Sequence, residues 1–204
     1  MTTALYVCST EARAGKTMLA IGLARRLQQN GVSVGFMKPW TLLASGETVE
    51  QTDAGFAKRV LGLSDSLDLL APVRRASGHR GAASSSPLGL VKSAYLELSK
   101  GKQVIIVEGN ADLNDGADLG LAGHEIAAAL SAKVVLVTRY RPHDFVESIA
   151  RAKQMLKEFL VGIVVNGIPA AQSRAAATFI DSTPAKNGVK VLGLLPQMRD
   201  LMAV

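Results

Sequence analysis

The nine residues Ser9-Thr10-Glu11-Ala12-Arg13-Ala14-Gly15-Lys16-Thr17 constrain this chain more than any others. An apolar, strand-like run, Ala4–Ser9, leads into them, and a segment of helical period, Gly15–Gln29, follows. A strand that turns through Gly-Lys-Thr into a helix is the layout of a loop that wraps phosphate. The glycine lets backbone approach the anion, the lysine supplies a point charge, and the threonine hydroxyl can ligate a divalent cation. Free N–H groups at the helix start point at the same anion. The strict spacing asks for a further glycine where this chain has Thr10. The strand before and the helix after outweigh that departure. The expectation is a nucleoside triphosphate site, with ATP and Mg²⁺ the first candidates, built from Thr10 to Met18.

The rest of the chain repeats the same alternation. Strands are expected at Ala4–Ser9, Val32–Lys38, Gln103–Glu108, Lys133–Thr138, Leu160–Asn166 and Val189–Leu194. Several are apolar on both faces, as in a buried parallel sheet. Helices are expected at Gly15–Gln29, Thr52–Leu61, Leu88–Lys100, Gly123–Ser131, Pro142–Phe159 and Ala170–Asp181, with Gly31, Gly101 and Gly188 closing three of them. This rhythm predicts an α/β fold: one doubly wound, mostly parallel sheet over residues 1–204. Two stretches interrupt it. Leu42–Gln51 reads as a polar connector, and Arg74–Pro87 as either an active-site flap or a plain surface loop.

Composition narrows the class further. With 204 residues, 48% of them apolar, the chain can bury a full core and is not a disordered segment. No apolar run is long enough to span a bilayer, and Met1-Thr2-Thr3 lacks the layout of a secretory signal. The single Cys8 excludes an intrachain disulfide and a cysteine-rich metal site. These features predict a soluble, cytoplasmic protein. The net charge of +6 raises a nucleic-acid partner. The basic residues are scattered, however, and the cluster Arg74-Arg75 with His79-Arg80 has no aromatics interleaved, which argues against nucleic acid. His124, Glu125 and His143 lack the spacing of a metal site and read as surface or cap residues.

A triphosphate site needs more than its loop. Glu108 ends the apolar strand Gln103–Val107, where a carboxylate is costly to bury without a role, and it is a candidate metal ligand beside Thr17. Asp53 is a weaker candidate, since spacing alone favours a first-turn carboxylate serving the helix dipole. Lys38 closes the strand Gly35-Phe36-Met37 at the sheet edge where ligands bind. It could face a transferring phosphoryl group or an acidic substrate, or simply end a strand at the surface.

At these residues the chain resembles a known family. Ser-Thr-Glu…Gly-Lys-Thr, Gly-Phe-Met-Lys-Pro, Gln-Thr-Asp, Val-Glu-Gly and Val-Val-Asn-Gly run in the order seen in dethiobiotin synthetase. Relatives of that enzyme include the ATP-binding domains of cobyrinic and cobyric acid amide synthases and the N-terminal domain of long phosphate acetyltransferases. The resemblance implies Lys16 and Lys38 as the catalytic lysines, with Thr17, Asp53 and Glu108 as the Mg²⁺ ligands. It implies that Asn166 reads adenine and that Leu195-Pro196-Gln197, after the last strand, pass beside the base. It also implies homodimerisation, and activation of a carboxylate or carbamate by ATP. Two places depart from the family pattern: Gly109-Asn110-Ala111-Asp112 replaces a glycine run, and Trp40-Thr41-Leu42-Leu43 replaces a small polar loop. Both lie on the substrate side, and they keep open a nucleotide-sensing module with slow or no turnover. Glu11 stands where partitioning ATPases of the deviant-loop type carry a second lysine, so the ATP-sandwich dimer of that class is not expected.

Overall fold

The computed structural model describes residues 1–76, 86–141, 145–182 and 188–198. Its core is a six-stranded, wholly parallel sheet in the order β2-β5-β1-β6-β7-β8. The strands are β1 Thr3–Ser9, β2 Val34–Met37, β5 Val104–Glu108, β6 Lys133–Arg139, β7 Leu160–Ile168 and β8 Val191–Pro196. Helices α1 Lys16–Gln29 and α2 Asp53–Leu61 cover one face. Helices α4 Pro87–Leu98, α5 Gly123–Ala129, α6 Phe145–Leu156 and α7 Ser173–Ser182 cover the other.

Strand alternation explains the two layers. Along β1, Ala4, Tyr6 and Cys8 join the core under α4 and α5, while Val7 joins the core under α1 and α2. In β5, Ile105 and Val107 face the first core and Ile106 the second. Both faces are buried, so these strands read as continuous apolar runs. The three glycines expected at helix ends all have positive φ, at 78°, 69° and 61° for Gly31, Gly101 and Gly188.

Several expected boundaries shift. The helix placed at Pro142–Phe159 runs over Phe145–Leu156 and ends in a 3-10 turn, Lys157–Phe159, while residues 142–144 with His143 lie outside the described residues. The helix placed at Ala170–Asp181 opens with a 3-10 turn, Ala170–Gln172, before α7. The final strand does not stop at Leu194. It continues to Pro196 because the nine-residue β7 offers a partner as far as Ile168.

A second, two-stranded parallel sheet was not expected. β3 Trp40–Leu43 pairs with β4 Val73–Ala76, and a short helix α3, Leu67–Leu70, precedes β4. The connector placed at Leu42–Gln51 therefore begins inside a strand. Of Arg74–Pro87, residues 77–85 lie outside the described residues, and with them His79, Arg80 and the choice between flap and surface loop. Arg74 and Arg75 belong to β4 and pair with Asp68 at 2.7 Å and Asp118 at 2.6 Å. Among the described residues no helix is long and apolar enough to cross a membrane.

Candidate nucleotide and metal site

The sheet order sets β1 between β5 and β6, so the loop leaving β1 is flanked by the tips of both. Arg13 (φ 56°) and Gly15 (φ 98°) turn the backbone left-handed. Only glycine suits position 15: a Cβ there would lie 2.2 Å from Asn166 Nδ2. That amide donates to the Ala14 carbonyl at 2.9 Å, and its Oδ1 accepts from the Gly167 N–H at 2.8 Å. Asn166, expected at a strand end, sits within β7 and braces the loop from beside the groove.

The loop is also tied to β6. The Arg139 guanidinium donates to the Arg13 carbonyl at 2.6 and 3.1 Å. Glu11 accepts from the Arg139 N–H at 3.3 Å and pairs with Arg141 at 2.9 Å. Thr10 and Glu11 border a small hollow with Thr138 and Ser148, and Ala12 is exposed at the loop's crest.

Lys16, which a loop awaiting phosphate would be expected to present to solvent, is instead buried. It is 7% exposed. Its ammonium donates to Ser9 Oγ at 2.7 Å and to the Ala111 carbonyl at 3.0 Å. The cause is the turn after β5, which closes over the first turn of α1. Burial, then the charge of Lys38, pull the Lys16 ammonium below the usual lysine range.

Lys38, just past β2, is 8% exposed, which removes the surface-lysine reading. Its ammonium bridges Asp53 Oδ2 at 2.5 Å and Glu108 Oε1 at 3.1 Å. Burial pulls the lysine down, but the carboxylates of Glu108 and Asp53 outweigh it and hold Lys38 above its ordinary value. Glu108 is 1% exposed. Burial pushes its carboxyl up against the opposing Lys38 charge. Thr17 Oγ1 donates to Glu108 Oε1 at 2.6 Å. Thr17 and Lys38 thus meet at one oxygen of Glu108, and Lys38 joins that oxygen to Asp53.

Does this cluster suit Mg²⁺? Glu108 Oε2 is buried with no protein partner, an acceptor lacking a counterpart. Among the described residues no three His, Cys, Asp or Glu side chains gather as a metal cage. Mg²⁺ does not need one. It commonly takes one or two carboxylates and completes its shell with phosphate and water. Two carboxylates, one of them with an unanswered oxygen, and a hydroxyl fit that donor set.

Two hollows flank the cluster. A groove of about 610 Å³ runs along Arg13, Gly15, Met18, Arg139, Tyr140, Asn166, Leu195, Pro196 and Gln197. Leu195 and Pro196 border it from the end of β8 rather than from a loop, and Gln197 follows just after. A pocket of about 500 Å³ lies on the other side of Lys38, lined by Trp40, Thr41, Asp53, Asn110, Ala111 and Asp115. Trp40 Nε1, Thr41 Oγ1 and Asn110 Oδ1 are buried there without partners. The sequence reading gave no role to Arg139, Tyr140 and Arg141, although Arg139 ends a strand at the ligand edge of the sheet, a signal that could have found it.

Cys8 is buried in the sheet, 1% exposed, and that burial pushes its thiol up to about 12 despite nearby Lys16, which argues against a nucleophilic role.

The chain is similar to several known proteins. The AAA domain family model matches residues 3–204. The phosphate acetyltransferase of Pseudomonas putida is 24% identical over 97% of this chain and 30% of its own length. The ATP-dependent dethiobiotin synthetase of Nitrosopumilus maritimus is 23% identical over 97% of this chain and 90% of its own. That of Janthinobacterium is 25% identical, covering 95% and 87%. The chain therefore spans less than a third of the phosphate acetyltransferase and most of the synthetases. Among solved structures, chloroplast FtsY from Physcomitrella patens superposes with a TM-score of 0.59 at 14% identity, over 95% of this chain and 58% of that one, a likeness of fold. The chain belongs to the AAA domain family, as an ATP-binding P-loop domain of the dethiobiotin-synthetase-like kind.

Proposed function

We propose that this chain uses ATP and Mg²⁺ to phosphorylate a small carboxylate or carbamate, the activating half of ligase chemistry. One observation carries the reading: the Lys38 ammonium bridges Asp53 and Glu108 and, together with Asp53, lines the second pocket. A phosphoryl group passing from the loop to an acceptor in that pocket would travel beside a fixed positive charge. In this reading the backbone of Thr10–Gly15 cradles the phosphates with Lys16, and Met18, Asn166, Leu195, Pro196 and Gln197 border the base. Thr17, Asp53 and Glu108 hold Mg²⁺, which when bound offsets charge on the phosphates. An amine then closes on the mixed anhydride or displaces phosphate from it, as in dethiobiotin synthetase and the cobyrinic acid amide synthases.

We read the chain as one domain acting in the cytoplasm as a homodimer, on small molecules rather than nucleic acid or membrane. The ion pairs of Arg74 and Arg75 support the small-molecule side, since they answer the described part of the basic cluster.

The test is ADP release with ATP, Mg²⁺, bicarbonate and diaminopelargonate, then with a panel of small carboxylic acids. Substrate-dependent ADP is expected, and its absence across the panel overturns the enzymatic reading. A nucleotide-sensing module is the second reading. It is favoured by the match to under a third of a phosphate acetyltransferase and by the altered residues at 40–43 and 109–112. Stable capture of a partner enzyme with only slow hydrolysis would support it.

A further inference from the structure

Ser9 is fully buried and polar, one place before the residue that fills the first-glycine position. Its hydroxyl accepts from Lys16 Nζ at 2.7 Å. It donates to the Glu11 carbonyl at 2.6 Å and lies 3.2 Å from the Ala111 carbonyl, which itself accepts from Lys16. Two carbonyls, one from the loop and one from the turn after β5, therefore share one hydroxyl and one ammonium.

The turn carrying Ala111 is stiff. The Ala111 N–H donates to Asp115 Oδ2 at 3.0 Å, and Asp112 Oδ1 accepts from the N–H groups of Asn114 at 2.8 Å and Asp115 at 3.1 Å. Asn110, Ala111 and Asp115 line the second pocket. Gly116 follows directly and packs on the Trp40 indole, so closely that a Cβ there would lie 2.5 Å from Nε1. A shift of the Ala111 carbonyl thus reaches the indole through one short rigid turn.

We propose that Ser9 is a positioning residue: it holds the Lys16 ammonium beneath the phosphate loop and, through the shared Ala111 carbonyl, ties nucleotide binding to the wall of the second pocket. An ammonium has three donors, and Ser9 and Ala111 take two of them. Incoming phosphate meets a lysine already in place and draws charge from the bond to Ala111. The turn from Asn110 to Gly116 responds, and the acceptor pocket is reshaped when nucleotide is present. The inference rests on Lys16 meeting the triphosphate, as in the proposed function.

Trp40 is the chain's single tryptophan and reports on that wall. The experiment pairs calorimetric titration of ATP·Mg²⁺, with no acceptor added, and Trp40 emission in wild type, Ser9→Ala and Ser9→Thr. In wild type the emission change should track calorimetric binding. Ser9→Ala should bind ATP on the order of tenfold more weakly, as expected for a lost hydrogen bond to a charged group. At saturation it should also lose at least about half of the emission change, and Ser9→Thr should restore both, because the hydroxyl and not the packing is at issue. Wild-type affinity and full emission change in Ser9→Ala overturn the proposal. Hydrogen exchange of residues 109–116 in wild type, with and without ATP, decides the matter if Ser9→Ala does not fold. Altered protection supports the tie, and identical protection overturns it. Failure of wild type to bind ATP overturns the site itself, an outcome distinct from binding with a silent turn.

Discussion

The Lys38 ammonium stays buried because two carboxylates answer it, and Glu108 stays buried because Lys38 answers Glu108. Removing one partner strands the other. Lys38→Ala should destabilise the fold by about 3 kcal/mol, since breaking a buried pair leaves an uncompensated charge. Added Mg²⁺ should raise the melting temperature of the variant more than that of wild type, because it can replace the missing positive charge beside Glu108. Thermal melts with and without chelator check both. Lys16→Ala should abolish ATP binding by calorimetry. It should also lower the melting temperature, because the side chain is buried and bonded to Ser9 and Ala111. At this scale the sequence was legible where a residue type at a fixed spacing has one dominant use: Lys16 and Thr17 in the loop, and Glu108 at a strand tip. Asp53 was ambiguous, since a carboxylate in the first turn of a helix serves the dipole as readily as a metal. Ser9 and Trp40 were opaque. Their roles depend on Ala111 and Gly116, about a hundred residues away in the first case, and no local pattern carries that pairing.

Among the elements, β1 holds two titratable groups in the core. Burial pushes the Cys8 thiol up to about 12 and the Tyr6 phenol well above its usual value of 10.0. Both shifts favour the protonated form in the folded state. Their stabilisation is complete below the unfolded thiol value of 9.0 and is lost as pH rises from there towards the folded values. Stability to urea should fall by on the order of 1 kcal/mol per pH unit through Cys8 alone above that point, and Cys8→Ala should flatten the slope. Native Cys8 should resist alkylation at pH 8 and react once the chain is unfolded in urea. The main strands were readable from their apolar runs. β3 and β4 were not, because each is only four residues long, and the Leu42-Leu43 pair in β3 and the Arg74-Arg75 pair in β4 break the alternation that marks a half-buried strand.

For the whole molecule, the α/β class and parallel sheet followed from the alternation of short apolar runs with helical segments. The strand order did not. Nothing local says that β5 lies between β1 and β2, yet that order brings Glu108, Lys38 and Thr17 within reach of one another. If the chain pairs as proposed, light scattering should give twice the chain mass, and a monomer at all concentrations would refute the homodimer. The central place of β1 has a further consequence during synthesis. Leu5 pairs with Ile106 on one side and with Lys133 on the other. On a ribosome, β1 must wait for more than a hundred residues before either neighbour exists, and longer for the second. Contacts so distant in sequence form slowly and leave strand edges open meanwhile. Newly made chain should therefore lean on chaperones until β6 emerges. A nascent chain should first retain ATP only after β7 and β8, which border the groove, have emerged as well, so nucleotide binding dates the completion of the sheet.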